Sequence, residues 1–256
     1  MKSNTLCNKI HKSTLIGILS LITLPSAIHA IENTLTTTQS NAVLGVITNF
    51  ILNDGIVHNG TSYGTVTSPY TGKVWLDKNL GATRICTSFN DTQCYGDYYQ
   101  WGREFDGHQN KNSGILNTLA LDITSAGSNF IATSDNSWLV STFDTFGTIR
   151  QANWTSTNGT SICPKGFRVP TSLELSQETI DEGVTDGQTA FENFLKIPSA
   201  GERISNTGVL SQDNIIAYWT DTPFINIASA IIIYDGNALI TNISMSTGLS
   251  VRCIKD

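Results

Sequence analysis

The sequence predicts an α+β fold with small antiparallel sheets, two short helices and a long irregular loop region. Three observations lead to this prediction. Short β-branched or alternating segments bounded by turn residues lie on both sides of two short amphipathic segments. A long stretch rich in Gly, Asn, Ser and Thr separates the first strands from the first helix. Strands that bracket a few helices in this way are typical of α+β proteins.

Residues 1–30 are predicted to be an export signal. Three lysines precede an apolar segment at 15–24, and small residues follow it up to Ala30. This order is typical of a secretory signal peptide cleaved after Ala30. The apolar segment would span only about 15 Å as a helix, too little for a membrane anchor. Residues 31–55 form an N-terminal segment whose periodicity does not distinguish a strand from a short helix.

The charge balance excludes one large class of partner. The chain has 15 Lys and Arg against 21 Asp and Glu, a formal net charge of −6. Only 14% of the residues are charged, so no basic stripe is available for phosphates and we expect no nucleic-acid partner. No apolar run reaches about 18 residues, so we expect no transmembrane span in the mature chain.

Four cysteines remain once the signal is removed: Cys86, Cys94, Cys163 and Cys253. An even number in an exported chain indicates disulfides, and three pairings are possible. The short polar loop between Cys86 and Cys94 favours a local bridge, in which case Cys163 would tie the middle of the chain to Cys253. A four-thiolate zinc site is disfavoured because the chain has no C-x-x-C pair and the compartment is oxidising.

The first clear unit of the mature chain is a hairpin over residues 63–77, which alternate on both sides of a turn that contains Pro and Gly. An aromatic segment follows at 95–103, where Asp97 is expected to cap a helical turn. Residues 104–160 are rich in Gly, Asn, Ser and Thr, with scattered aromatics. They predict a long insertion of loops and short strands.

Two helices are predicted in the second half of the chain. Thr171 begins the first, because its hydroxyl can accept from the Glu174 amide while the Glu174 carboxylate reaches back to the Thr171 amide. The second helix covers 189–196, where apolar residues share a face. The side chains of the first helix expected to face inward are Leu173, Leu175 and Ile180.

The C-terminal part is predicted to be sheet. Residues 230–234 and 238–240 are apolar and flank Asp235-Gly236-Asn237, the clearest short hairpin signal in the chain. Residues 249–254 supply a final strand. No repeat with a period of 20–50 residues is visible.

Several of these segments also occur together, in this order, in a known family. The segments are Gly64-Thr65-Val66, residues 74–80, residues 97–101, residues 163–171, Tyr218-Trp219-Thr220 and residues 250–253. As an ordered set they resemble the FISUMP family, the major paralogous domain of exported bacterial proteins, over residues 56–256. More distantly, they are similar to the C-terminal domain of a bacterial collagen-like adhesin and to C-type lectins and formylglycine-generating enzymes. The resemblance implies a C-type-lectin-like architecture for 56–256 and no particular activity.

Aromatic side chains supply the candidate ligand site of this domain. They could stack on a sugar if they line a groove, although burial in the core is the commoner role of tryptophans such as Trp75. The candidate ligand-binding residues are Tyr98, Tyr99, Trp101, Arg103, Trp219 and Asp221.

The mature chain offers little material for catalysis. His58 and His108 are its only histidines. Residues 60–64 fit the G-x-S-x-G pattern, but a strand follows Ser62 where a nucleophile elbow needs a helix. With its cysteines in bridges, the chain also lacks the reactive thiols of formylglycine-generating enzymes. We therefore expect no catalytic residue.

Carboxylates leave one enzymatic alternative open. Asp97, Glu104 and Asp106 cluster near Trp101, and glycosidases use paired carboxylates beside aromatic sugar platforms. Calcium-dependent sugar binding is not supported, because the chain lacks the Glu-Pro-Asn, Gln-Pro-Asp and Trp-Asn-Asp motifs of calcium-binding lectins. We expect no cofactor and no metal.

These observations predict an exported, non-catalytic binding module in the periplasm, on the cell surface or outside the cell. Its partner would be a glycan or a surface protein. The first alternative is a carbohydrate-active enzyme that uses carboxylates near Trp101. The second is a structural subunit of a surface assembly, for which exposed edge strands would be the structural indication.

Overall fold

The computed structural model describes residues 55–212 and 214–256, which form fifteen strands and three α-helices. The strands are β1 Ile56–His58, β2 Thr61–Tyr63, β3 Thr65–Thr67, β4 Val74–Leu76, β5 Tyr99–Gln100, β6 Ile115–Leu116, β7 Phe130–Ile131, β8 Phe167–Arg168, β9 Glu202–Arg203, β10 Leu210–Ser211, β11 Ile216–Pro223, β12 Ile227–Tyr234, β13 Asn237–Ser244, β14 Gly248–Leu249 and β15 Ile254–Lys255. The α-helices are α1 Thr148–Thr155, α2 Ser172–Glu178 and α3 Gly187–Glu192, and a 3-10 helix covers Ile180–Glu182. The export signal, Ala30 and residues 31–54 lie outside the described residues.

The strands form several small sheets. Two of them have four strands, in the orders β10-β9-β14-β5 and β3-β4-β15-β8, and a third has the order β11-β12-β13. The strands of these three sheets pair antiparallel, and β6 with β7 is a short parallel pair. Small antiparallel sheets with a few short helices make this an α+β fold, as the sequence predicts.

Both hairpins predicted from the sequence are present. The segment 63–77 contains β3 and β4, which pair from Thr65 opposite Leu76. At the C-terminal end, β12 and β13 pair over eight residues, and their turn is the two residues Asp235 and Gly236. Both turn residues have positive φ, 48° and 78°, as a two-residue turn of this kind requires.

A further hairpin, which is not among those predicted from the sequence, joins β1 and β2. Asn59 and Gly60 form its turn with φ of 47° and 78°, and His58 lies opposite Thr61. An Asn-Gly pair is among the strongest hairpin signals. The flanking strands have three residues each, too few to show an alternation in the sequence.

The final strand predicted over 249–254 is divided in two. β14 pairs with β5 and β9, whereas β15 pairs with β4 and β8 in a different sheet. Between them, the carbonyl oxygens of Val251 and Cys253 accept from the amides of Leu80 and Leu76. The chain therefore passes from one sheet to another within six residues, which an apolar pattern alone does not reveal.

The helices correct the prediction in number and extent. α2 has the predicted capping box between Thr171 and Glu174, but Leu173 is 65% exposed because its first-turn position faces solvent. α3 begins at Gly187 rather than at 189, capped by Asp186. α1 lies in the stretch predicted to be irregular. Its buried residues are Arg150 and Trp154, so it shows no aliphatic stripe.

All five tryptophans are buried in the core of the described residues. Two disulfides support this core, as predicted from the cysteine count. Cys163 is bonded to Cys253 and Cys86 is bonded to Cys94. The four cysteines between residues 55 and 256 are thus all in bridges, and none of them is available as a thiolate ligand for zinc. No helix of residues 55–212 or 214–256 is long and apolar enough to cross a membrane.

Candidate functional site

The aromatic residues predicted to bind a ligand lie in the interior. Tyr98, Tyr99, Trp101 and Trp219 each expose 1% or less of their surface. Their polar atoms also point inward, and Tyr98 for example donates to the carbonyl oxygen of Ala200 at 2.7 Å. This corrects the predicted site, because a sugar cannot stack on rings that other side chains already cover.

The two polar members of the predicted site are buried as well. The Arg103 guanidinium donates to Asp106 at 2.9 Å and to the carbonyl oxygen of Gly127 at 2.7 Å. Asp221 is 6% exposed, and burial raises the pKa of its carboxyl despite a hydrogen bond from the Thr222 hydroxyl. Of these six predicted residues, only Tyr99 lines the cavity described below, and its exposed fraction is 1%.

The carboxylates near Trp101 separate into different environments. The Asp106 carboxylate accepts hydrogen bonds from Arg103 and from His108, whose Nδ1 lies 2.6 Å from Asp106 Oδ1. Burial alone would raise the pKa of Asp106, but the hydrogen bond from His108 and the charge of Arg103 outweigh it and lower the pKa. Burial lowers the pKa of His108 to about 4, so the ring is neutral at pH 7 and donates from Nδ1. Glu104 is exposed to solvent.

Asp97 lies in a small cavity of about 130 Å³, which is the candidate binding site and is called the Asp97 cavity below. The hairpin of β1 and β2 supplies one side of the lining, and chain segments around residues 80, 97 and 105 supply the rest. The lining residues are His58, Asn59, Thr61, Tyr63, Leu80, Gly81, Asp97, Tyr99 and Phe105.

The backbone holds Asp97 firmly at this cavity. Its amide donates to the carbonyl oxygen of Leu80 at 2.9 Å, so Asp97 does not cap a helical turn as predicted. Its carboxylate lies against Gly81, where a Cβ atom would stand 2.3 Å from Oδ2. Gly81 has a φ of +76°, so both its backbone angle and the available space require glycine.

The Asp97 carboxylate has no hydrogen-bond or ion-pair partner among the residues that the structure describes, 55–212 and 214–256. Burial raises its pKa to about 7. Other polar groups of the lining are already engaged: the Tyr63 hydroxyl accepts from the Gly81 amide at 2.9 Å, and His58 Nε2 lies 2.8 Å from the carbonyl oxygen of Ile162. Asp97 is therefore the one charged group of the lining with unused hydrogen-bonding capacity.

The lining limits the chemistry that the cavity can perform. It contains one carboxylate, whereas the common glycosidase mechanisms need two carboxyl groups about 5–10 Å apart. Within the described ranges, no group of three or more His, Cys, Asp and Glu side chains could hold a metal ion. The arrangement fits the binding of a small group better than it fits acid–base catalysis.

A second candidate surface is the outer edge of β13, called the β13 edge below. β13 is the last strand of its three-stranded sheet and pairs on one side only, with β12, among the described residues. Exposed apolar side chains lie on this strand and beside it: Tyr234, Leu239 and Ile240. Exposed edge strands are the structural indication expected for a subunit of a surface assembly. The sequence alone does not predict that β13 is such a strand.

Comparison of the chain with protein-family models, with curated proteins and with solved structures gives no match.

Proposed function

We propose that the chain is an exported, non-catalytic binding module that binds an extended segment of another surface protein through the β13 edge. The observation that carries the proposal is an eight-residue edge strand without a charged residue. From Pro223 to Val251, only Asp235 is charged. Proteins ordinarily protect an edge strand with lysines, a proline or a bulge, and β13 has none of these.

The geometry of the hairpin determines which backbone groups are available. In a two-residue hairpin the residues beside the turn form a hydrogen-bonded pair, and the bonding alternates from there. Asn237 is bonded to β12 in this scheme, so the amides and carbonyls of Ala238, Ile240 and Asn242 point away from the sheet. An added strand would satisfy these groups and cover Leu239 and Ile240.

A protein segment fits the molecule better than a glycan does. The candidate sugar platform is buried, with Trp101 and Trp219 fully covered. Strand addition draws its affinity from main-chain hydrogen bonds and its selectivity from alternate side chains. Because the edge is uncharged and apolar, we infer that the segment it binds is uncharged and rich in β-branched residues.

Export is part of the same proposal. It is supported by the signal-like pattern of residues 1–30 and by two disulfides, which persist in oxidising compartments. We also propose a C-type-lectin-like architecture of the FISUMP type. Its support is the Cys163–Cys253 bridge, which ties the helix-entry segment to the last strands, and the pairing of β15 with β4, which brings the C-terminal end beside an early strand.

A library of extended peptides displayed on phage tests the proposal against the disulfide-bonded protein. We expect uncharged, β-branched peptides to be selected and to shift the backbone amide resonances of residues 237–244. The Ile240→Lys variant should bind them at least about tenfold more weakly, because a lysine on an edge strand opposes pairing. Val57→Lys is the matched control, since Val57 is also an exposed β-branched residue in a strand. Equal binding by Ile240→Lys would show that the β13 edge is not used.

The same edge also favours a second candidate, a structural subunit that pairs with a copy of itself. Two β13 strands can align antiparallel with Ala238 opposite Ser244 and Ile240 opposite Asn242, so that outward-facing backbone groups meet and no like charges are brought together. Sedimentation of the purified protein distinguishes the two candidates. A dimer or polymer that Ile240→Lys disrupts supports self-assembly, whereas a monomer that binds peptides supports the first candidate.

A further inference from the structure

The Asp97 cavity is independent of the β13 edge and has its own chemical character. We propose that it binds a primary ammonium group, the end of an aliphatic amine, with Asp97 as its counterion and the ring of Phe105 beside it. Size, charge and the types of lining atom each support this assignment.

The size of the cavity restricts the ligand to a small group. A single water needs roughly 10–15 Å³ of such space, so a volume of about 130 Å³ is enough for a small organic group. An ammonium group with a few methylenes fits this space. The rest of a larger ligand would have to remain outside the cavity.

The charge of the cavity calls for a cation. Its lining contains the Asp97 carboxylate and neither lysine nor arginine. Lys78 lies over the ring of Tyr63, a lining residue, at 4.8 Å from the centroid. It is engaged elsewhere: its Nζ lies 2.6 Å from the carbonyl oxygen of Ser62 and 3.2 Å from Asp77 Oδ1. The half-buried charge of Asp97 is therefore uncompensated within the described residues, which an incoming cation would correct.

The types of atom in the lining favour ammonium over other cations. An ammonium group has three donors, and the lining includes two residues with side-chain carbonyl or carboxylate oxygens that can accept them, Asp97 and Asn59. The ring of Phe105, which is 46% exposed, adds an environment in which cations are favourable. A calcium ion would need six to eight oxygen ligands, more than this lining offers.

Gly81 keeps the carboxylate available. A side chain at position 81 would collide with Asp97, whose Oδ2 lies 2.3 Å from the position of such a Cβ atom. Since the Leu80 carbonyl oxygen fixes the Asp97 backbone, the carboxylate could avoid this contact only by rotating its side chain. Glycine at this position thus preserves the orientation in which Asp97 lies in the cavity.

Titration of the disulfide-bonded protein with n-butylammonium chloride at pH 8 tests the proposal. We expect a saturable shift of the Asp97 carboxyl carbon resonance and of the Phe105 ring resonances. Sodium chloride at the same ionic strength and neutral n-butanol should produce no saturable shift. A lower apparent pKa of Asp97 in the presence of the amine would be the independent second signature, because the bound cation stabilises the ionised acid.

Two variants decide whether Asp97 is responsible. Asp97→Asn has the same shape without the charge and should weaken binding at least about tenfold, the range expected for loss of a charged hydrogen bond. Glu104→Gln, which removes an exposed acid nearby, should bind as the unaltered protein does. Absence of a saturable shift, or equal binding by Asp97→Asn, would overturn the proposal. Neither result depends on peptide binding at the β13 edge, so the two proposals fail separately.

Discussion

The indole nitrogen of Trp219 donates a hydrogen bond to the carbonyl oxygen of Tyr99 at 2.6 Å. The reciprocal bond also exists, because the indole nitrogen of Trp101 donates to the carbonyl oxygen of Thr220 at 2.8 Å. Each tryptophan thus donates to a backbone carbonyl oxygen within two residues of the other tryptophan. Trp219 and Tyr99 are 120 residues apart in the sequence. The aromatic residues that suggested a sugar platform are instead the cross-links between β5 and β11.

Replacement of Trp219 by phenylalanine tests this cross-link. Trp219→Phe retains an aromatic ring but removes the indole donor to the Tyr99 carbonyl oxygen. We expect the free energy of unfolding to fall by about 2–4 kcal/mol, since the lost hydrogen bond adds to the loss of packing. Urea unfolding measures the change. Tyr234→Phe, at a half-exposed aromatic, should change it by less than about 0.5 kcal/mol. Similar effects of the two replacements would contradict the assigned role of Trp219.

Local features of the fold could be predicted from the sequence. The capping box of α2 depends on Thr171 and Glu174 alone, and the turn at Asp235 and Gly236 depends on two adjacent residues. Both are determined within four positions of the chain. By contrast, α1 has no side-chain cap and buries Arg150, so neither signal of a helix is present in its sequence.

The candidate cavity could not be predicted in the same way. Its lining comes from segments near residues 58, 80, 97 and 105, and no local pattern places them together. Asp97 was recognised as an acid in an aromatic segment. Its carboxylate has no partner among the described residues, because Lys78 is paired with Asp77 and Arg103 with Asp106. Only the three-dimensional arrangement reveals these pairings.

The two disulfides should contribute unequally to stability. Cys163–Cys253 closes a loop of 90 residues, and Cys86–Cys94 closes one of 8. In the loop-entropy description, the long bridge contributes about 4–5 kcal/mol and the short one about 2–3 kcal/mol. Thermal unfolding of the Cys163→Ala/Cys253→Ala and Cys86→Ala/Cys94→Ala proteins compares them. A larger loss from the short bridge would indicate that packing around Tyr95, rather than loop closure, determines its contribution.

The buried ion pair of Asp144 and Arg150 fixes the start of α1 to the core. Arg150 Nε lies 3.1 Å from Asp144 Oδ2, and the guanidinium lies beside the rings of Trp101 and Trp138. Asp144→Ala leaves a buried cation without its counterion, so we expect a loss of about 3–5 kcal/mol in the free energy of unfolding. Chemical denaturation measures it.

A double variant separates the ion pair from the packing around it. Asp144→Ala combined with Arg150→Met removes both charges, so the double variant should be more stable than Asp144→Ala alone. If it is less stable by the sum of the two single effects, the charges do not interact. The comparison is Arg84, whose half-exposed side chain pairs with the buried Asp91. Arg84→Met should cost less than Asp144→Ala, because Asp91 keeps the Thr87 and Gln93 donors.

Asp97 should make stability depend on pH in an unusual direction for a carboxylic acid. Burial raises its pKa from the usual 3.8 to about 7, so between these values the folded protein holds a proton that the unfolded chain has released. The free energy of unfolding therefore falls as the pH rises. The contribution of Asp97 is fully present below about pH 4 and is lost as the pH passes through about 7.

The Asp97→Asn variant isolates this contribution, because asparagine cannot ionise. Its melting temperature should be close to that of the unaltered protein at pH 4 and higher at pH 8, with the difference increasing between. His108, whose pKa is about 4, is present in both proteins and cancels in the comparison. Glu104→Gln, at an exposed acid, should show no such increase. A constant difference across the pH range would mean that the Asp97 carboxylate has a partner that stabilises its charge.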